Sequence, residues 1–252
     1  MSTPTLTHVS WTQAEVYAGC GEKWRLQYVE GVPQEPQGAF LGGRAIHGAI
    51  HHGYETAWDA SEELPQGVWE HYVETFSASV TEAGGADAVR WGGRKSREFP
   101  GGEAFNWWLG REPEAMLKRA HATVLQDAAD GLRLFNGTMG GVEVEVLATT
   151  GSGTPTRSYI DRLLVNADGE LGVDDWKTGK PGGGSKMQLG LYGWAVKETL
   201  GLEVTWGGFT YLRASDTGKR HERFDLTPLV PLVAARLDAF ERGVAAGVFQ
   251  LI

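Results

Sequence analysis

The pattern of apolar and polar positions changes character near Gly141, and up to that point it predicts mainly helices. Ser10-Trp11-Thr12-Gln13 has the capping-box form and opens a helical stretch to about Val29, with a break near Gly19-Cys20-Gly21. Further helical stretches run from about Gly43 to Asp59, Pro65 to Glu82 and Gly102 to Ala129, separated by glycine-rich or proline-containing breaks.

From Gly141 the period shortens to two. Val142, Val144 and Val146 alternate with Glu143, Glu145 and Leu147, and Ser158 to Val165 is a second strand-like run. Asn166-Ala167-Asp168-Gly169 signals a turn, which makes Glu170 to Trp176 the return strand of a hairpin. After Gly179-Lys180-Pro181-Gly182-Gly183-Gly184 comes a helix with Ser185 as N-cap and Gly201 as its terminating glycine. Strand-like runs at about Glu203 to Arg213 and Lys219 to Phe224 precede a closing helix, Pro228 to Ala246. The predicted order is an α-rich part, then β-β-β, α, β-β, α.

Composition narrows this only slightly. At 252 residues the chain suits one α/β domain (1–252), with a mainly helical part at 1–135 and an αβ core at 136–252. Hydrophobic residues at 41% and charged residues at 22% exclude a disordered or collagen-like chain. The longest apolar runs, such as Leu229 to Ala235, fall far short of the roughly 20 residues that cross a bilayer. The start lacks a basic and then apolar leader, so a cytoplasmic location is expected. Cys20 is the one cysteine, which rules out an intrachain disulfide; a lone cysteine of this kind is ordinarily a small buried hydrophobe. The net charge of −9 argues against nucleic acid as a partner, but a bound cation can reverse the sign locally.

The chemistry concentrates in Tyr159-Ile160-Asp161-Arg162-Leu163 and Val173-Asp174-Asp175-Trp176-Lys177-Thr178-Gly179. Residues two apart on a strand share a face, so Lys177 falls with Asp175 and not with Asp174. Asp161 precedes them on the other strand of the hairpin, where a twisted pairing brings its carboxylate beside that of Asp175. Two carboxylates and a lysine suit phosphodiester hydrolysis: hard oxygens hold Mg²⁺ or Mn²⁺, the metal acidifies a bound water, and the ammonium stabilises developing negative charge. A solvated hairpin with alternating charges gives the same letters.

Longer motifs separate the two readings. Asp161-Arg162-Leu163, Asp175-Trp176-Lys177-Thr178-Gly179, and Gln188 with Tyr192 resemble, in order and spacing, the signature of the RecB-like nucleases of the PD-(D/E)XK superfamily. Trp176 stands where Tyr is usual and Ser158 where Gly is more common. The resemblance implies a restriction-endonuclease-like α/β core, with a central mixed β-sheet flanked by helices and a helical N-terminal elaboration. It also implies that Gly43-Arg44-Ala45-Ile46-His47 supplies His47 as a metal ligand beside Asp161, Asp175 and the Trp176 carbonyl. Lys177 then positions the water, and Gln188 and Tyr192, four apart on one helix face, support the site. Each has an ordinary alternative: a helix histidine in a His-rich helix (His51 and His52 follow), a Ser185-to-Gln188 capping box, and a core tyrosine.

Glu143 and Glu145 are explained by a half-exposed strand and stay outside the expected catalytic set, although some relatives use a further upstream carboxylate. Arg90-Trp91-Gly92-Gly93-Arg94-Lys95-Ser96-Arg97 is the densest basic cluster; Arg94, Lys95 and Arg97 are candidate DNA contacts and Trp91 a candidate base-stacking ring, against the alternative of a solvated loop. Cys20 resembles the first ligand of the [4Fe-4S] cluster that some RecB-like nucleases carry, which needs three cysteines beyond the one in this sequence.

The resemblance thus implies a Mg²⁺- or Mn²⁺-dependent deoxyribonuclease, an exonuclease on DNA ends or single strands in recombination, repair or phage DNA processing. The same motifs suit the nuclease of CRISPR spacer acquisition, and an idle nuclease fold serving as a DNA-binding or assembly subunit is the non-enzymatic alternative. A site-specific endonuclease would need a sequence-reading element that is not evident. No Walker sequence is present, so any helicase activity belongs to a partner in recombination.

Overall fold

The computed structural model describes residues 6–56, 64–92, 105–137, 140–213 and 221–249. Within these, α1 (Trp11–Gly19) and α2 (Gly21–Trp24) are followed by a π-helical turn, Arg25–Val29. Next come α3 (Gly38–Glu55), α4 (Gln66–Glu82), α5 (Phe105–Trp108) and α6 (Arg111–Ala129). The remaining elements are β1 (Arg133–Leu134), β2 (Val142–Thr149), β3 (Pro155–Val165), β4 (Leu171–Lys177), α7 (Lys186–Leu200), β5 (Val204–Tyr211), β6 (His221–Asp225) and α8 (Val230–Ala245).

The strands form one mixed sheet in the order β1-β3-β4-β5-β6, with β2 also pairing β3. β4 and β5 run parallel through the α7 crossover, and the other pairs are antiparallel. Helices flank the sheet, which is the expected α/β class. One hydrophobic core joins α1, α2, α7 and α8 to the sheet through residues such as Trp24, Val173, Leu189 and Phe240. A second core, built from α3, α4 and α6, receives Trp176 and Leu212 from the sheet side.

Several boundaries depart from the sequence expectation for tertiary reasons. α3 starts at Gly38, five residues before the expected Gly43, because the Gly38 N–H donates to the Arg90 carbonyl (3.0 Å) and its bare Cα lies against the Trp91 ring. The expected helix from Gly102 is interrupted after Trp108, and α6 starts afresh at Arg111, with Pro113 in its first turn, where a missing N–H costs nothing. Two-residue β1 is too short for any alternation to reveal. Gly201 ends α7 at φ +68° as expected. Ser185, however, makes no side-chain capping bond to α7; only its carbonyl accepts the Gln188 N–H (2.9 Å).

Candidate active site

The site is made where two paired strands part. β3 and β4 are in register from Val165↔Leu171 to Arg162↔Asp174, and Asp161 and Asp175 stand one step beyond. Past that step β4 stays with β5 as far as Lys177↔Tyr211, while β3 continues against β2. The core-facing positions of β3 change parity here, from Ile160 to Leu163, which leaves Asp161 and Arg162 both buried at the change. Opposite them on β2, Glu143 takes φ +47°, a backbone region that non-glycine residues rarely occupy. Where the ladder opens, the Trp176 N–H donates to Asp161 Oδ2 (2.7 Å), so a side-chain carboxylate replaces the missing strand acceptor.

Around that opening the acidic groups converge. Asp161 Oδ1 lies 3.1 Å from His47 Nδ1, brought by α3. A nitrogen of His47 and one carboxylate oxygen each from Glu143 and Asp161 fall within 4.8 Å of one another. Asp175 Oδ2 is 2.6 Å from Lys177 Nζ, and Asp175 Oδ1 accepts from Gln188 Nε2 (3.2 Å) and Tyr192 Oη (3.4 Å). Gln188 ties the group together: its Oε1 accepts from Lys177 Nζ (3.3 Å), and its amide also donates to Tyr192 Oη (2.7 Å). The structure therefore gathers Asp161, Asp175, Lys177, His47, Gln188 and Tyr192 from four elements.

The electrostatics are those of a surplus of negative charge. Burial, then the neighbouring Asp161, raises the Asp175 carboxyl to about 7 against the pull of Lys177. Burial and Asp161 likewise raise Glu143 to about 7. Burial by itself would lower His47, but the adjacent Asp161 carries it up to about 9. Asp175 Oδ2 is enclosed and accepts no well-directed hydrogen bond, Lys177 being its close cationic neighbour. An imidazole nitrogen and two carboxylates within 4.8 Å of one another, with the enclosed Asp175 Oδ2 on the adjoining strand, fit a small divalent cation.

The other face of the same hairpin is saturated. Arg162 Nη1 pairs with Asp127 (2.6 Å) on α6, its Nε and Nη2 pair with Asp174 Oδ2 (3.2 and 2.7 Å), and its guanidinium covers the Trp176 ring at 4.1 Å. Thr210 Oγ1 donates to Asp174 (2.9 Å to Oδ2). The Trp176 side chain thus belongs to the helical core, while its backbone borders the site.

Glu143 is the residue that sequence reasoning set aside. Its alternation with valines reads as an ordinary half-exposed strand, and what sets it apart, a positive φ on β2 where β3 parts from β4, is conformational. Gly43, first residue of the His47 motif, lets α3 approach closely: a Cβ there would stand 3.0 Å from Thr178 Oγ1. Arg94, Lys95 and Arg97 lie outside the described residues. Trp91 does not fit the base-stacking expectation, since its ring packs edge-on to Phe76 and Phe105 and its indole N–H donates to the Ala86 carbonyl (2.7 Å). Cys20 is half-buried and not a core residue; its Sγ accepts from the Lys23 N–H (3.4 Å) and caps α2. Nearby, the Trp24 ring stacks on Phe249 beyond α8, and Tyr17 Oη donates to the Val248 carbonyl (2.5 Å).

Known proteins resemble this chain in sequence and in fold. The chain is 27% identical to the gene 69 protein of Mycobacterium phage D29 over 264 aligned positions, covering 95% of this chain and 88% of that protein. The crystal structure of a candidate exonuclease from Eubacterium rectale superposes with a TM-score of 0.52 at 14% identity, over 97% of this chain and 83% of that one, a likeness of fold alone. A model of the PD-(D/E)XK nuclease superfamily matches residues 8–248, nearly the whole chain, and the chain belongs to that superfamily.

Proposed function

We propose that the protein is a Mg²⁺- or Mn²⁺-dependent deoxyribonuclease of the RecB-like branch, an exonuclease on linear or single-stranded DNA. The observation that carries this reading is the convergence of Asp161, Asp175, Glu143, His47 and Lys177 on one opened strand pair. The reading takes residues 1–252 as one nuclease domain, in which the helical part (1–135) lends His47 to the αβ core (136–252). The likeness to a phage protein supports a role in phage DNA processing or recombination, inside the cell where the DNA is. A helicase partner and an iron–sulfur cluster remain outside the proposal, because the latter needs thiolates this sequence does not supply.

Nucleases of this superfamily use divalent metals. Asp161, Asp175, Glu143 and His47, with the Trp176 carbonyl, would hold the metal, which when bound supplies an acidified water and positive charge at the scissile phosphate. Lys177, held between Asp175 and Gln188, orients the attacking water and meets the charge that grows on the phosphate oxygens. Gln188 and Tyr192 fix the Asp175 carboxylate, so its ligand oxygen does not have to reorient during the reaction.

The test is cleavage of end-labelled single-stranded and double-stranded linear DNA and of a closed circle, with Mg²⁺, Mn²⁺ or EDTA, by the protein and its Lys177→Ala variant. Metal-dependent loss of linear DNA that the variant lacks supports the reading. Equal activity in the variant removes Lys177 from the mechanism, and no cleavage with either metal overturns the enzyme in favour of an idle DNA-binding subunit.

A further inference from the structure

Phe40 is the most exposed large hydrophobic residue among those described, with 67% of its surface open. It lies on the first turn of α3, whose buried face is already complete with Leu41, Ala45, Ile46, Ala49 and Ile50. Nothing in either core draws on the Phe40 ring, and an exposed phenyl forgoes the burial that would repay it. Its place on the helix is informative. Phe40, Arg44 and His47 follow at the i, i+4 and i+7 positions of one helical stripe, so Phe40 stands about 10 Å along the axis from the histidine that meets Asp161. Between them, Gly43 brings the helix against Thr178, the residue after Lys177, so the stripe runs along the border of the site. Arg44 is exposed and gives one N–H to Ser79 Oγ (3.3 Å).

We propose that Phe40 is a stacking platform for an unpaired nucleobase of the DNA strand entering the site, with Arg44 beside it for the adjoining phosphate. An aromatic face and a guanidinium in succession match the two parts of a nucleotide, and bases in a single strand offer their faces while paired bases do not. The overall charge of −9 makes such local contacts matter more, since long-range attraction to DNA is lacking. The proposal rests on the nuclease reading above and adds to it the preference for an unpaired strand and the residue that sets it.

The experiment compares the protein with Phe40→Ala, Phe40→Trp and, as a surface control, Leu232→Ala on α8, where the side chain is also exposed (54%). Steady-state cleavage is measured on a single-stranded oligonucleotide and on the same sequence as a blunt duplex, with kcat and KM separated. Binding of a single strand carrying 2-aminopurine is measured in EDTA, where stacking quenches the fluorescent base. Phe40→Ala should raise the single-strand KM about tenfold, with kcat changed less than about twofold, and abolish the quenching, while Phe40→Trp and Leu232→Ala keep both. A Phe40→Ala enzyme with unchanged KM and unchanged quenching overturns the platform and leaves the nuclease intact. If the protein cleaves nothing, Phe40-dependent quenching still upholds the platform, and only the catalytic reading falls.

Discussion

Asp174 and Asp175 are neighbours in the chain, nearly equally buried, and opposite in condition. Asp174, on the helical-core side of the sheet, receives two contacts from Arg162 and the hydroxyl of Thr210. Asp175, on the α7 side, shares its face with Asp161 and Glu143, keeps an oxygen without a well-directed donor, and has its pKa pushed up to about 7 by burial and by Asp161. The same residue type in the same strand is thus finished on one face and left short of positive charge on the other. Buried carboxylates crowded against one another with a single lysine between them cost stability, so the front face reads as a place built for a cation from solution, and the back face as the anchor that holds it still.

The contrast breaks most visibly if the front carboxylate is neutralised. Asp175→Asn should lower the cleavage rate at least about a hundredfold while leaving the metal-free protein as stable as the parent or more so, checked by DNA cleavage and by thermal unfolding in EDTA. Marked destabilisation instead would mean that Asp175 is a structural residue like its neighbour. On the back face the outcome reverses. Arg162→Leu leaves Asp127 and Asp174 buried without their cation and uncovers Trp176, and should cost about 3–5 kcal/mol in urea unfolding. Unchanged stability would remove the anchor from the argument.

How much of this could be read from the sequence follows from what each feature depends on. Lys177 and Asp175 share a face because alternation on a strand is local geometry, and Gln188 and Tyr192 meet because four residues make one helical turn; both were legible. The convergence of Asp161 with Asp175 also follows from the hairpin, once Asn166 to Gly169 is read as its turn. Glu143 was not legible, since its φ of +47° is a conformational feature that the alternation of residue types does not reveal. Nor was the early start of α3, which rests on Trp91 some fifty residues away in the chain. The role of Arg162 was hidden in a different way: it sits inside the motif, yet its partner Asp127 comes from the distant α6, and the Asp174 it shares with Thr210 is reached across the sheet.

A titration sharpens the comparison with a smaller effect. Asp175 and Glu143 hold protons in the folded state up to about pH 7, whereas in the unfolded chain they release them at about pH 4. Folding therefore takes up protons between those values, and the stability these groups contribute is present below about pH 4 and lost as pH rises through about 7. His47, raised to about 9, extends the loss in the same direction. In EDTA the melting temperature should fall from pH 6 to pH 8. Mg²⁺ should then restore on the order of 5 °C at pH 8 and markedly less at pH 6, where the carboxylates are still partly protonated. Asp175→Asn should flatten the metal response; an equal Mg²⁺ effect at both pH values would show that the front carboxylates do not bind it.

The finest version removes one hydroxyl donor facing each aspartate. Thr210→Val keeps the shape of a buried side chain and deletes the donor to Asp174, whose remaining support is Arg162. It should cost about 1–2 kcal/mol of stability and change the cleavage rate less than about twofold. Tyr192→Phe deletes a long hydrogen bond to Asp175 (3.4 Å) and the acceptor of the Gln188 amide (2.7 Å). Here the carboxylate loses little, because it was never fully satisfied, but Gln188 is freed and with it the restraint on Lys177 (3.3 Å). The expected result is a stability change within about 0.5 kcal/mol and a several-fold slower reaction. The two substitutions should cross, stability falling in one and rate in the other. If Tyr192→Phe instead destabilises as much as Thr210→Val, the two faces of the hairpin are equally finished, and the deficit of charge that defines the front is no longer its distinguishing property.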